Sequence, residues 1–545
     1  MDRTLDLGPA TDLAEGDSRS SGPVTVFRHL GQLHAIASRC PHMGYPMSKG
    51  TLRDGVVTCA WHGWEFDLHT GGCYRGACDD LPVYPLDIIN GTVHVRVHET
   101  PRDPDEAARR LRESLLAGDV YLQAKALARL LDAEVAPAAI AATVVQHGFV
   151  HAIAAHRSLQ ACVEARAVLD AAQLAELMEP GEQVSTLLQG IRTVGGPVGE
   201  RAAIVPLPGP LVSARLYERL DAAVSESSSL GVERIVLSLA ALSAPADDLG
   251  KAVLDCASRP MFGEQPEILA ATLTALEAGE RLGADGWTVS AALLGWVLGA
   301  ARDEPSAEFR PAREWLNRNA ATLAALAPPE HGHAPDDRSI AAVTTAHNGE
   351  AVMALVLGWF QAGAGWADLL DGIERFVGRR LERQVPGSGG LVPAALEGVR
   401  WVHAARRAAQ RGSTTTRVNL IIMLAWHLFS SRWLQPGHPW KDAPTTATWD
   451  SYAAAMSAND SASARHQAVA LLARDRADPR ALGQWLAPLI HDDLSASMLD
   501  GLTAVVASYR RGGEWQPAVA GLVNAVLDAR MRQDVRAAAR FGKSL

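Results

Sequence analysis

Two short segments, Cys40-Pro41-His42 and Cys59-Ala60-Trp61-His62, constrain this chain more than any other feature in it. Each pairs one thiolate with one imidazole, and sixteen residues lie between them. Two chemistries use such a set. A [2Fe–2S] cluster with mixed ligation takes two Cys on one iron and two His on the other. A zinc site takes the same ligand types on a single ion. In the cluster, neutral imidazoles replace anionic thiolates, so the centre carries less negative charge and is easier to reduce than an all-Cys cluster. A chain built for it moves single electrons. The flanks read as short strands. Val24-Thr25-Val26-Phe27, Leu33-His34-Ala35-Ile36-Ala37, Val56-Val57-Thr58-Cys59, Pro82-Val83-Tyr84-Pro85-Leu86 and Val93-His94-Val95-Arg96-Val97 are β-branched or alternating, with Gly and Asp turns between them. Asn90-Gly91 is a hairpin turn signal.

The neighbouring residues argue against zinc. Met43-Gly44-Tyr45-Pro46 follows the first segment, Gly63-Trp64-Glu65-Phe66 follows the second, and Thr70-Gly71-Gly72 comes next. The stretch resembles the Rieske family pattern of C-P-H-x-G, then C-x-W-H-G-W-x-F, then a Thr-Gly turn. The resemblance covers about residues 1–100 and nothing beyond. It implies two loops at the tip of a small β domain, each offering one Cys and one His. Cys40 and Cys59 would hold the buried iron of a [2Fe–2S] cluster, and His42 and His62 the outer one. Glycines beside the ligands would let backbone N–H groups approach the sulfides. The exposed imidazole edges would be the electron exit. Rieske proteins of cytochrome bc-type complexes carry an extra, disulfide-bonded Cys in each loop. Here Met43, Gly44 and Tyr45 follow His42, and Ala60 occupies the second position. The Ser that donates a hydrogen bond to a sulfide in the high-potential relatives is Trp64 in this chain. Fewer hydrogen bonds to sulfur mean a lower potential. The stretch is therefore similar to Rieske ferredoxins and the Rieske domains of oxygenases. Cys73 and Cys78 read as free thiols rather than a redox pair, and Cys162 and Cys256 as core thiols.

Composition limits the rest. The chain has 545 residues, enough for several domains, and 48% of them are hydrophobic. A net charge of −10 and a pI near 6.0 give no reason to expect nucleic acid or an anionic membrane as partner. The longest apolar runs, 289–301 and 420–426, are too short to span a bilayer. Residues 1–6 lack the basic and apolar regions of a secretion signal, and six Cys do not suggest a secreted disulfide framework. The expectation is a cytoplasmic protein.

Near residue 100 the composition changes. Glu99-Thr100-Pro101-Arg102-Asp103-Pro104-Asp105-Glu106 reads as a linker and helix start, and the remainder is Ala/Leu-rich with helical spacing at 107–116, 120–131, 137–155 and 159–169. The expected architecture is multidomain: a small all-β domain at 1–100 followed by a large, mostly α-helical domain at 101–545, subdivided near 328–337. Starts at Pro137, Pro245, Pro335 and Pro479 suggest a weak internal repeat of helix pairs, with His147, His347 and His491 following three of them. The mixed α/β domain that follows the cluster in familiar Rieske oxygenases has no counterpart in the pattern. His151 and His156 have the spacing of that domain's iron-binding His pair, but they lie in a helical run without the acidic residue expected upstream.

Eleven of the eighteen histidines lie in the helical part. His147 and His151, four apart on one helix face, together with His347 and His491, are candidate ligands for a second, non-haem iron. The bland reading makes them histidines bonded to backbone or solvent at helix ends. No Walker motif, Gly-x-Gly-x-x-Gly fingerprint or Gly-x-Ser-x-Gly is present, so electrons must arrive from an external ferredoxin or reductase. Two functions follow. One is a Rieske-type oxidoreductase feeding a catalytic centre in the helical domain, with oxygenation of a small organic substrate as the reaction. The other is a non-enzymatic electron-transfer or redox-sensing protein whose helices are a docking scaffold.

Overall fold

The computed structural model describes residues 3–542 apart from 75–78, 98–102, 155–157, 193, 195–203, 243–245, 260–265, 282–285, 300–304, 385–390, 436–445, 491–493 and 513. Contacts divide the chain into two compact units, Met1–Thr143 and Val144–Leu545. Among its described residues the first contains ten strands: β1 (Arg3–Pro9), β2 (Ser18–Ser21), β3 (Val24–His29), β4 (Gln32–Ala37), β5 (Thr51–Arg53), β6 (Val56–Thr58), β7 (Glu65–Asp67), β8 (Val83–Tyr84), β9 (Leu86–Ile89) and β10 (Thr92–Val97). They form three antiparallel sheets of order β1-β10-β9, β2-β3-β4-β8 and β5-β6-β7. Asn90 and Gly91 both have positive φ (52° and 82°) and close β9 onto β10, as the Asn-Gly signal predicts.

Strand β3 is buried on both faces because it lies between two cores. Val24 and Val26 pack with Leu7, Ala35, Val93 and Val95. Phe27 packs with Ile36, Val57, Phe66, Leu68 and Leu81, and this second core also contains Cys40, Cys59 and Trp64. The buried hydroxyl of Thr25 is satisfied by Ser20 at 2.7 Å.

The first unit does not end where the strands end. Two helices, α1 (Pro104–Ala117) and α2 (Val120–Asp132), follow. Asp103 caps α1 by accepting from the N–H groups of Asp105 and Glu106, Pro104 occupies its first turn, and Gly118 ends it at φ +67°. Asp119 then caps α2 by accepting from Tyr121 and Leu122. A linker of only Gly118-Asp119 therefore makes a tight hairpin. Leu122 enters the core that holds Cys40 and Cys59. The carboxylate of Asp79 is bridged by Lys125 (2.6 Å), Arg129 (2.7 Å) and Arg110 (3.6 Å), which ties both helices to the segment behind the second loop. The composition change at residue 100 marks the switch from strand to helix. Compactness places α1 and α2 with the strands, because the apolar face of a short hairpin needs a core to cover it.

The second unit is helical throughout its described residues. Its apolar runs are core helices, not membrane spans: no helix among the described residues is long and apolar enough to cross a membrane. The helix Gly286–Gly299 is almost wholly buried. A Cβ on Gly295 would meet the Ser229 carbonyl oxygen at 2.7 Å and one on Gly299 the Ser229 Cα at 2.4 Å, so these glycines permit close approach to Ser229–Ala241. The four expected repeat starts open helices of 18, 12, 6 and 10 residues (Pro137–Ala154, Ala246–Ala257, Asp337–Ala342, Ala481–Ile490), so the Pro-to-His spacing does not correspond to one helix length. At the third, a 3-10 turn at Val343–Thr345 ends the helix before His347 is reached.

Candidate metal centre

Two loops at one end of the first unit share a backbone frame. In the first, the Cys40 N–H donates to the Tyr45 carbonyl and the Gly44 N–H to the Cys40 carbonyl, both at 2.8 Å. In the second, the Cys59 N–H donates to the Trp64 carbonyl at 2.8 Å and the Gly63 N–H to the Cys59 carbonyl at 3.0 Å. Gly44 and Gly63 stand fifth in their loops with φ of 72° and 67°, where a side chain would strain the turn. The two frames match although His42 is third in its loop and His62 fourth. β6 and β7 deliver the second loop directly, and an isolated bridge from Arg39 to Pro46 closes the first. Behind the second loop, Asp67 accepts from the Thr70 N–H, the Thr70 hydroxyl and the His69 N–H. These bonds, led by Thr70, hold its carboxyl below the usual range. Gly71 in the same turn is pressed against Leu81, whose oxygen lies 1.8 Å from where a Cβ would be.

The side chains are layered. Cys40 and Cys59 are buried (3% and 2% exposed). The imidazoles lie outside them, with ring centroids 4.9 Å apart and planes nearly perpendicular. Nδ1 of His42 is buried without a hydrogen-bond partner, as expected of a nitrogen turned toward a metal. Burial pushes the Cys40 thiol up to about 11, with Cys59 beside it adding to the rise. A thiolate there needs a compensating cation such as iron. Inner thiols and outer imidazoles are the order a two-iron cluster requires, and the residues fit it.

Two aromatics border the site. Trp64 is buried 5.2 Å from the His42 ring and excludes water behind it, whereas Trp61, half exposed, stacks on His62 at 4.5 Å. The two imidazoles differ in exposure. His62 is exposed, but the His42 side chain is only 8% exposed because the α1–α2 hairpin lies over it. The expectation that both imidazole edges face solvent is thus corrected for His42. Its Nε2 is 3.2 Å from Asp119 Oδ2, and Lys125 donates to the Pro41 carbonyl at 2.6 Å. Sequence reading missed Asp119 and Lys125 as site residues. Asp119 lies 77 residues from His42 in sequence, and that separation concealed the contact.

The helical candidates are placed as follows. His147 is half-buried on the helix Pro137–Ala154. The side chain of His151 and the whole of His156 and His491 lie outside the described residues. His347 is exposed between the 3-10 turn and the helix Gly349–Gln361. Among the described residues no three His, Cys, Asp or Glu side chains converge on a single metal ion. Two other histidines are core residues. Burial pushes His403 and His427 down to about 4, and His427 stacks on Trp401 at 4.6 Å. Buried charges nearby are mutually paired. Arg166 donates to Asp170 (2.5 and 2.9 Å) and Glu277 (2.9 Å), Arg407 pairs with Glu277, and Arg400 donates to Asp500 at 2.7 Å. Cys73 is half-buried with its backbone bridged to Phe66, and Cys78 lies outside the described residues.

Comparison with known proteins agrees with the site. The Rieske [2Fe-2S] domain model matches residues 4–85, and no family model matches the rest. The ferredoxin subunit of 3-phenylpropionate/cinnamic acid dioxygenase from Escherichia coli (strain K12) is 32% identical over 96 residues, 17% of this chain and 91% of that protein. Human apoptosis-inducing factor 3 is 36% identical over 91 residues, 16% of this chain and 15% of its own. The 4beta-methylsterol monooxygenase of Methylococcus capsulatus is 41% identical over 59 residues, 11% of this chain and 14% of its own. The chain thus spans only a small part of the latter two. It belongs to the Rieske [2Fe-2S] family through its first unit, and that family membership implies a [2Fe–2S] cluster and electron transfer.

Proposed function

We propose that this protein is a Rieske-type oxidoreductase. It accepts single electrons from an external ferredoxin or reductase and passes them to a catalytic centre in the helical region, where they would reduce dioxygen as oxygen is inserted into a small organic molecule. The observation that carries the reading is the pair of matched loops with thiols inside and imidazoles outside. When bound, a [2Fe–2S] cluster takes up or gives back one electron at a time. Cys40 and Cys59 hold its buried side, His42 and His62 its outer side, Gly44 and Gly63 keep the loops tight, and Trp64 excludes water. An external donor is needed because the sequence has no dinucleotide fingerprint. Two of the relatives are named as a dioxygenase ferredoxin subunit and a monooxygenase, which favours oxygenation as the reaction. A cavity of about 360 Å³ in the second unit, lined by His331, Asp371, Glu374, Arg375, Arg406 and Arg511 among others, suits a small polar substrate. His147, His151, His347 and His491 are the proposed candidates for non-haem iron.

One observation favours a second reading, a redox-responsive scaffold without its own reaction. Among the described residues of the second unit no three His, Cys, Asp or Glu side chains converge on a single metal ion. Iron and acid-labile sulfide measured together on anaerobically purified protein separate the readings. Two irons and two sulfides per chain with no further metal support the scaffold. A third iron, lost on His147→Ala with His347→Ala, supports a catalytic metal in the helices. One zinc and no sulfide overturns both.

A further inference from the structure

We propose that the α1–α2 hairpin is a built-in cover for one side of the cluster. Asp119 positions His42 beneath it, and His62 is left as the single route for electrons. The inference rests on the cluster reading above and concerns which ligand a redox partner reaches.

Asp119 uses its two carboxylate oxygens for different tasks. Oδ1 accepts from the N–H groups of Tyr121 (3.1 Å) and Leu122 (3.2 Å) and so fixes the carboxylate as the cap of α2. Oδ2 is thereby aimed at Nε2 of His42, 3.2 Å away. Were Nδ1, which is buried without a hydrogen-bond partner, to hold iron, Nε2 would carry the proton and donate it to this carboxylate, which would fix the ring and feed negative charge toward the outer iron. The hairpin cannot easily shift. Leu122 is 5% exposed in the core shared with Cys40, Cys59 and Trp64, Lys125 is bonded to the Pro41 carbonyl inside the loop, and Asp79 holds Lys125, Arg129 and Arg110 together. Tyr121, itself exposed, stands beside His42 with its ring centroid 6.4 Å away. No helix covers His62 among the described residues of this unit; it meets the His42 ring and Trp61, itself half exposed. A carrier that must exchange electrons with a donor and an acceptor thus presents one imidazole edge to both, so the two partners compete for the same face.

Two measurements on the full chain test this. The first is the cluster's reduction potential together with its nitrogen hyperfine couplings by pulsed EPR, in wild type and Asp119→Asn. The expected result is an upward shift in potential and a change in one nitrogen coupling only, with iron and sulfide content unchanged. Potential and couplings equal to wild type overturn the positioning role. The second is the rate of cluster oxidation by ferricyanide, a small anionic oxidant. Trp61→Glu, beside His62, should slow it at least about fivefold, the factor for two unit charges at close range in water, since the oxidant carries three. Tyr121→Glu, on the hairpin, should slow it clearly less. Equal slowing by both variants, or greater slowing by Tyr121→Glu, shows an open route through His42 and overturns the cover. Should Asp119→Asn lose the cluster, the Trp61 and Tyr121 pair decides alone. A wild-type protein without iron and sulfide overturns the parent reading instead.

Discussion

The two cluster loops are close to copies in backbone and opposites in setting. Each begins with a buried Cys whose N–H reaches five residues ahead, and each turns on a positive-φ glycine. Yet the first loop is roofed by helix and tied to it by Lys125, while the second is open at its imidazole and braced from behind by the Thr70-Gly71 turn. The comparison teaches that a ligand frame can be repeated by local hydrogen bonding alone. What each ligand can do is set by whatever packs on it. One imidazole is nearly buried and the other is exposed.

The largest effect tests where the loops are alike. Cys40→Ser and Cys59→Ser should each abolish the cluster, with iron and sulfide falling to background in both. Survival of the cluster in only one of them would break the equivalence. Next come changes that should separate the loops. Gly71→Ala places a Cβ against the Leu81 carbonyl at φ +76° and should cost on the order of 3–4 kcal/mol in denaturant unfolding. Gly44→Ala, at φ +72° with open space around it, should cost only about 1 kcal/mol. Leu122→Ala removes the hairpin's anchor in the core and should cost about 2–3 kcal/mol. Hydrogen exchange should then speed up in α1, α2 and the first loop, and a uniform rise across both loops would contradict the one-sided cover.

The smallest effect is electrostatic. Burial raises the Asp79 carboxyl, but Lys125, Arg129 and Arg110 outweigh it and hold Asp79 below the usual range. A carboxylate with a depressed folded pKa contributes stability above its unfolded value and loses it as pH falls through the folded one. Asp79→Asn should therefore cost about 1 kcal/mol at neutral pH, since two of the three partners are partly solvated. The difference from wild type should vanish in acid. An acid-independent difference would show that Asp79 acts through packing rather than charge.

Much of the first unit was legible because its signals are local. Cys40, His42, Cys59 and His62 are recognisable by type and spacing, Asn90-Gly91 by its turn chemistry, and β3, β4, β6 and β10 by their β-branched runs. The edge strands β1, β2, β5 and β7 were not read, since Arg3–Pro9 and Ser18–Ser21 are polar and become strands only by pairing with β10 and β3. Helices α1 and α2 were visible, but not the unit they belong to. An amphipathic stripe states that a helix will bury one face, and is silent about what it will bury that face against.

Sequence by itself therefore determined the two Cys-His segments, the turns beside them and the alternation of strand and helix. Each of these depends on a residue's own chemistry or on neighbours a few positions away. Tertiary structure alone decided that His42 is covered and His62 is open. That asymmetry comes from Asp119, Leu122 and Lys125 reaching the first loop from about eighty residues away. Only the folded core brings a carboxylate fixed by its own helix to hydrogen-bonding distance of a nearly buried imidazole.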